Sequence, residues 1–171
     1  MAEGSTREPA KWTTTVIVSA ALQGNEVAAS LQREHHKVRF SQSVESGSII
    51  FPLSGIAFLL ANAQELFTSS QETFFPWIGN FISVHRNCFL VLTSALHGSS
   101  EWNLMFTIQQ RFLGSNLRII PAHNNAEIVK IMLIIAKATS KPHLETITDR
   151  LLKAQSQIIE LSPVWQILDS I

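Results

Sequence analysis

Acidic residues are scarce in the middle of this 171-residue sequence. Between Glu72 and Glu127 the only carboxylate belongs to Glu101. Metal-dependent nucleases hold their cations with two or three clustered carboxylates, so this scarcity argues against that chemistry. The sequence also contains no GxGxxG or GxxxxGK[ST] pattern, and therefore indicates no phosphate-binding loop of either kind.

Cysteine is almost absent as well. The single residue, Cys88, excludes an intramolecular disulfide and is typical of a reducing compartment such as the nucleus or cytosol. It opens an apolar run, which predicts a small buried hydrophobe. The N-terminus carries charged residues where a signal peptide would have an apolar core, which argues against secretion. The long uncharged stretch 46–64 is interrupted by glycine and proline, which favours two strands over a membrane span.

What the sequence does contain is an alternation of short apolar segments with amphipathic ones. Strands are predicted at 13–20, 37–41, 47–53, 55–60, 88–96 and from Asn116 onward. Four helices are predicted between these strands and after the last one. Two cover 24–35 and 125–138, one begins at a capping box formed by Ser69 and Glu72, and one begins after Gly98. In the helix after Gly98, we expect Trp102, Met105 and Phe106 to share the apolar face. This rhythm predicts a three-layer α/β domain with a mostly parallel central sheet.

The helix at 125–138 is apolar on two sides. Ile128 and Met132 belong to the side that would cover the sheet, and a surface helix needs only that one stripe. A second stripe should therefore meet another chain. The short helical segment after the break at 139–143 also carries more large apolar residues than so small a unit can bury. The predicted partner-facing residues are Val129, Leu133, Ile134, Leu151, Ile158 and Trp165.

These patterns divide the chain into four parts. We expect an N-terminal tail at 1–11, the α/β domain at 12–138, a linker at 139–143 and a C-terminal helical segment at 144–171. Thirteen basic and thirteen acidic residues cancel over the whole chain, so no long-range field steers it toward nucleic acid. Basic residues nevertheless exceed acids locally between Met105 and Lys141.

Histidine and serine offer one further kind of chemistry. His97 and His123 fall beside predicted strand ends, where they could meet Ser94 and serve a small hydrolase, although no nucleophile-elbow motif accompanies them. The adjacent His35 and His36 have no cysteine or carboxylate at ligand spacing, so we interpret them as a solvated helix end.

Four stretches, "SVESGSIIFPLSGIAFLL", "FLVLTSALHGSSEWNLMFTIQQRFLGSNLRIIPAHN", "IAKATSKP" and "ELSPVW", closely resemble the vertebrate Spo-sixteen meiotic proteins. The likeness runs from Trp12 nearly to the end of the chain. Members of that family are similar to the non-catalytic subunit of the XPF nuclease heterodimer. The resemblance implies a nuclease-like domain without an active site, paired with a larger XPF-like partner of the shortage-in-chiasmata family.

The resemblance also implies a function. Such a subunit binds branched or single-stranded recombination DNA together with its obligate partner, promotes meiotic crossovers and synapsis, and works in the nucleus on meiotic chromosomes. It needs no cofactor, metal or small-molecule substrate. The alternatives are the small hydrolase described above and a structural heterodimer arm that does not contact DNA. The candidates for DNA-phosphate contacts are Arg111, Arg118, Lys130, Lys137 and Lys141, of which the three lysines follow one helical stripe.

The sequence agrees with the family pattern at one point and departs from it at another. An XPF-type catalytic subunit carries an ERKxxxD signature, and no such run occurs here. A helix-hairpin-helix module, which the family pattern places at the C-terminus, needs a glycine-bearing hairpin, but no glycine follows Gly114. The segment 144–171 is therefore expected to resemble only part of such a module.

Overall fold

A computed structural model describes residues 11–140 together with Leu151 and Leu152. Its centre is a six-stranded sheet with the spatial order β2-β1-β3-β4-β5-β6. The strands are Thr15–Ser19 (β1), Lys37–Ser41 (β2), Ser48–Phe51 (β3), Ile56–Asn62 (β4), Cys88–Thr93 (β5) and Leu117–Ala122 (β6). β3 runs antiparallel to both of its neighbours, and the other pairings are parallel. The predicted mostly parallel sheet is confirmed.

Within residues 11–140, five α-helices cover the two faces of this sheet. They are Glu26–Arg33 (α1), Ala63–Thr68 (α2), Gln71–Val84 (α3), Ser99–Arg111 (α4) and Asn125–Thr139 (α5). One core joins α1 and α5 to the first face, and a second core joins α2, α3 and α4 to the other. The three-layer prediction is therefore confirmed.

The two cores explain why the central strands are almost entirely apolar. A parallel strand covered on both faces has no side that favours polar residues, and β4 and β5 accordingly read as continuous hydrophobic runs. Phe58 packs toward α1 and α5 and its neighbour Leu59 toward α3, both fully buried. Cys88 is buried at the start of β5, as predicted, and burial raises the pKa of its thiol.

The start of α3 differs from the prediction. The N-cap is Ser70, and the hydroxyl of Ser69 instead donates to the Glu65 carbonyl (2.8 Å), which caps the end of α2. The capping box of Ser69 with Glu72 is therefore wrong. Helix α2 went unpredicted because its six residues are too few to show a clear helical period.

Chain direction gives the domain two chemically different edges. The parallel strands begin at one edge, here called the amino edge, with Thr15, Lys37, Ile56, Cys88 and Leu117. They end at the opposite edge, the carboxyl edge, with Ser19, Ser41, Asn62, Thr93 and Ala122. α1, α4 and α5 follow strand ends, so they start at the carboxyl edge. The Ser54 hydroxyl, in the turn before β4, donates to the Ala136 carbonyl (2.6 Å) and places the last turns of α5 at the amino edge.

No helix among the described residues is long and apolar enough to cross a membrane. The uncharged stretch 46–64 contains β3, β4 and the turn between them, where Gly55 has a φ of +67° that favours glycine. The predicted domain boundaries stay predictions, because almost all of the proposed linker and C-terminal segment lies outside the described residues.

His36 corrects the interpretation of the histidine pair. His35 follows the end of α1 and has a positive φ of 67°, and the next side chain, that of His36, turns inward rather than toward solvent. The buried Nδ1 of His36 accepts a hydrogen bond from the Thr14 backbone N–H (3.1 Å), and Trp12 packs edge-on against the ring. Burial lowers the pKa of His36, and the nearby Lys11 lowers it further against the opposing effect of Glu34.

This burial predicts a pH-dependent stability. Because the pKa of His36 in the folded protein lies below its ordinary value of 6.5, the unfolded chain binds more protons in this range. The free energy of unfolding should therefore fall as the pH drops through about 6.5. Denaturant titrations of the full chain at several pH values would measure the slope.

H36N is the matched control, because an asparagine oxygen can accept from Thr14 without titrating. Its stability should depend less steeply on pH than that of the unsubstituted chain. A residual slope should remain, since burial also lowers the pKa of His85. Equal slopes for the two proteins would contradict the assignment.

Candidate functional site

The carboxyl edge is where α/β domains usually place catalytic groups. Two depressions lie there, and neither gathers acids. One of about 230 Å³ lies between the ends of β4 and β5 and the starts of α1 and α5, and its lining includes one carboxylate, Glu65. The other, of about 490 Å³, follows the serine-rich loop after β2 and includes Glu45. Among the described residues, no three His, Cys, Asp or Glu side chains are placed to hold a metal ion.

His97 and His123 lie at this edge, as the sequence suggested, and their rings contact each other. Their ring centroids are 5.2 Å apart and nearly perpendicular. His97 Nε2 lies 2.9 Å from the Ala122 carbonyl oxygen, and His123 Nδ1 lies 2.9 Å from the Glu127 carboxylate. The Ser94 hydroxyl donates to the Leu96 carbonyl (2.8 Å) rather than to a histidine. The serine–histidine pair that a hydrolase would need is therefore not formed.

Glu127 has a structural role at the start of α5. Its backbone N–H donates to the side chain of Asn124 (2.9 Å), the N-cap. Its carboxylate accepts from the backbone N–H of His123 (2.8 Å) rather than from the N-cap residue. The backbone and side chain of His123 hold the pKa of Glu127 below its ordinary value.

The predicted DNA-contact residues are spread over both faces of the sheet and the strand between them. Arg111 ends α4 and lies over the ring of Phe75, 5.8 Å from its centroid, on the α3–α4 side of the sheet. Arg118 lies at the start of β6. Lys130 and Lys137 are exposed on α5, on the opposite side of the sheet from Arg111. Lys141 lies outside the described residues.

The second apolar stripe of α5 is smaller than predicted. Val129 is buried in the core of this chain, so assigning it to a partner interface is wrong. Val129 lies next to Ile128 and three residues before Met132, so all three side chains lie on the side of α5 that faces the sheet. Leu133 is partly buried against the same core, whereas Ile134 is 58% exposed. Leu151 is exposed, and Ile158 and Trp165 lie outside the described residues.

A larger exposed apolar surface lies on α4, where the sequence predicted a buried face. Trp102 is 55% exposed and Phe106 is 63% exposed. They line a groove of about 510 Å³ against Ile119 and Pro121 of β6. Within the described residues β6 is the last strand on this side of the sheet. We call this groove, with its residues Trp102, Phe106, Ile119 and Pro121, the α4–β6 surface.

The sequence held a signal for this surface that the single-face interpretation missed. Met105 and Ile108 are the buried residues of α4, and they lie three apart on one face. Trp102 and Phe106 lie four apart on an adjacent face, which makes α4 apolar on two sides in the same way as α5. Pro121 also indicates an edge strand, because proline cannot donate a ladder hydrogen bond.

Comparison with solved structures defines the class of the domain. XPF from Aeropyrum pernix matches with a TM-score of 0.60 and 12% identity, over 74% of this chain and 62% of that chain. XPF from Aeropyrum pernix in complex with DNA matches with a TM-score of 0.56 and 14% identity, over 75% of this chain and 66% of that chain. The chain thus spans about two thirds of the length of these XPF chains, and it has the α/β fold of an XPF nuclease domain.

Sequence comparison then identifies the family. The family described as Protein SPO16 homolog matches residues 10–171. The human Protein SPO16 homolog is 54% identical over 171 residues, which cover 100% of this chain and 94% of the human protein. The chain therefore belongs to the SPO16 family, which confirms the family predicted from its sequence.

Proposed function

We propose that this chain is the non-catalytic subunit of an XPF-like heterodimer that binds branched recombination DNA and promotes meiotic crossover formation and synapsis. The observation that carries this proposal is an XPF-type fold whose carboxyl edge gathers no metal-binding carboxylates among the described residues. The absence of an ERKxxxD run from the sequence supports it. The role places the protein in the nucleus, on meiotic chromosomes, and requires no cofactor.

The α4–β6 surface supports the partner part of the proposal. Aromatic residues are enriched at protein interfaces, and exposed ones on a soluble domain mark a docking site when they are contiguous with other apolar groups. An edge strand beside them adds unpaired backbone groups that a second domain could cover. We propose that an XPF-like partner, of the shortage-in-chiasmata family, packs on this surface. Ile134, Leu133 and Leu151 remain the second candidate contact.

The first prediction concerns catalysis. The complex of this chain with its XPF-like partner should bind branched DNA and leave it intact in the presence of Mg²⁺ or Mn²⁺, because residues 11–140 present no carboxylate cluster that could hold the cation. Gel assays of binding and cleavage on the same samples would test this. Cleavage that copurifies with the complex, and that is lost in H97A or H123A, would favour the hydrolase alternative instead.

The second prediction concerns the partner. F106S should weaken association with the partner by about 30-fold or more, as expected for an interface hot spot, and should leave the fold stable because the side chain is exposed. The isolated chain should self-associate, and F106S should reduce this tendency. Titration of the partner domain and light scattering of the isolated chain would measure the two effects.

I134S is the matched control, since Ile134 is 58% exposed and Phe106 63% exposed. It should change the partner affinity little. Loss of association in I134S but not in F106S would place the partner on α5 and contradict the assignment to the α4–β6 surface. A monodisperse isolated chain that melts cooperatively would contradict the obligate heterodimer.

A further inference from the structure

Opposite charges lie at opposite edges of the domain. Of the seven acidic residues in 11–140, six lie at the carboxyl edge, in the first turns of helices or in the loop after β2. They are Glu26, Glu45, Glu65, Glu72, Glu101 and Glu127. Of the nine lysines and arginines, seven lie at the amino edge. They are Lys11, Arg33, Lys37, Arg86, Arg111, Arg118 and Lys137. The domain is therefore an electric dipole along its strands.

Helix geometry explains only part of this separation. Acids are favoured in first turns and bases in last turns by the helix macrodipole, which accounts for Arg33, Arg111 and Lys137. The carboxylate of Glu101 also caps α4, accepting from the Gly98 N–H (2.9 Å). Arg86 and Arg118 belong to no helix, however, so helix stability gives no reason for their charge.

Four of the basic residues lie at the amino edge in its three layers, and we call them the basic corner: Arg86 and Arg118 at the starts of β5 and β6, Arg111 at the end of α4 and Lys137 at the end of α5. In the pairing of β5 with β6, Cys88 lies opposite Leu117. Arg86 precedes Cys88 by two residues and Arg118 directly follows Leu117, so both arginines lie at the starts of neighbouring strands. The Asn116 side chain donates to the Arg86 carbonyl (3.3 Å) and ties the two loops together.

The basic corner is exposed and, within the described residues, unneutralised. All four side chains are exposed, and no carboxylate among the described residues lies within 4.0 Å of them. By contrast, the Arg33 side chain reaches back along α1 to pair with Glu26, so these two charges neutralise each other and contribute little to the separation. Arg111 belongs to the helical layer on one face of the sheet and Lys137 to the layer on the other. With about 10 Å between packed layers, the corner spans about 20 Å.

We propose that the basic corner is the surface on which this chain holds DNA, through the phosphate backbone. The inference rests on the proposed function and specifies where that function is carried out. A span of about 20 Å matches about six nucleotides of one strand at 3.4 Å each. The DNA would then cross the amino edge, opposite the edge where α/β enzymes carry out chemistry. This chain would then bind DNA through a surface separate from the edge where a nuclease domain would have its active site.

Phosphate is favoured over an acidic protein partner by the shape of the surface. The four charges come from three layers of the fold and are spread across the amino edge, which suits an extended polyanion better than a compact docking patch. The apolar contacts that a protein partner needs are concentrated instead on the α4–β6 surface. Arginine, which makes bidentate contacts with phosphate, supplies three of the four charges.

Charge reversal in the full complex tests the proposal. R86E/R118E should weaken binding to branched and to single-stranded DNA alike by about tenfold or more, and should flatten the slope of log affinity against log salt by about 0.7 to 0.9 per lost contact. R39E/K130E is the control, because both residues are exposed, lie away from the amino edge and give the same change in net charge. It should have a much smaller effect. Fluorescence anisotropy over a salt series would measure affinity, and gel filtration would confirm an intact complex.

The possible failures are distinguishable. Equal weakening by the two variants, or strong DNA binding that neither variant changes, would overturn the basic corner and leave the heterodimer proposal standing. Loss of the complex in R86E/R118E would assign the corner to the partner interface and would also overturn the inference. A wild-type complex that binds no DNA would contradict both the inference and the DNA-binding function.

Photo-crosslinking provides a test that does not depend on charge. Val84 is 76% exposed at the amino edge, and Leu96 is 80% exposed at the carboxyl edge. A benzophenone amino acid placed at position 84 probes the amino edge, and one placed at position 96 of a second variant probes the carboxyl edge. The two positions are almost equally exposed, so their crosslinking yields can be compared directly. Crosslinks to DNA should form from position 84 and not from position 96. Crosslinks from position 96 alone would overturn the proposal.

Discussion

The shared direction of five of the six strands is the constraint on which the other properties of this domain depend. Each connection between parallel strands must return across a face of the sheet, so the connecting helices α1 and α4 start at the carboxyl edge and end at the amino edge. Acids accumulate where helices start and bases where they end. An XPF-type fold without clustered carboxylates therefore retains a negative edge and a positive edge, and only the positive edge attracts a polyanion.

Much of this architecture could be predicted because it depends on local patterns. Strand β2 was predicted to the residue, and the βαβ unit and the β3–β4 hairpin follow from apolar segments with turn residues between them. The family was also recognisable from quoted stretches. The scarcity of acids between Glu72 and Glu127 was the most informative feature for function, because a metal-dependent nuclease cannot work without such residues.

The interaction surfaces could not be predicted in the same way, because they depend on which face of a two-sided helix the fold buries. In α5 the residue Val129 is buried against the sheet, whereas in α4 the residues Trp102 and Phe106 remain exposed. Arg86 is 32 residues from Arg118 in sequence, and only the pairing of β5 with β6 brings the two together. The burial of His36 likewise depends on Thr14, which is 22 residues away.

Hydrogen–deuterium exchange on the complex, with and without branched DNA, tests the central claim most directly, because it reports on both edges of the sheet in one experiment. The account predicts that DNA slows exchange in the amino-edge loops 85–87 and 112–116 and leaves the carboxyl-edge loops 94–98 and 123–124 unchanged. Protection confined to the carboxyl-edge loops would contradict it, and would place DNA where the catalytic groups of an α/β enzyme lie.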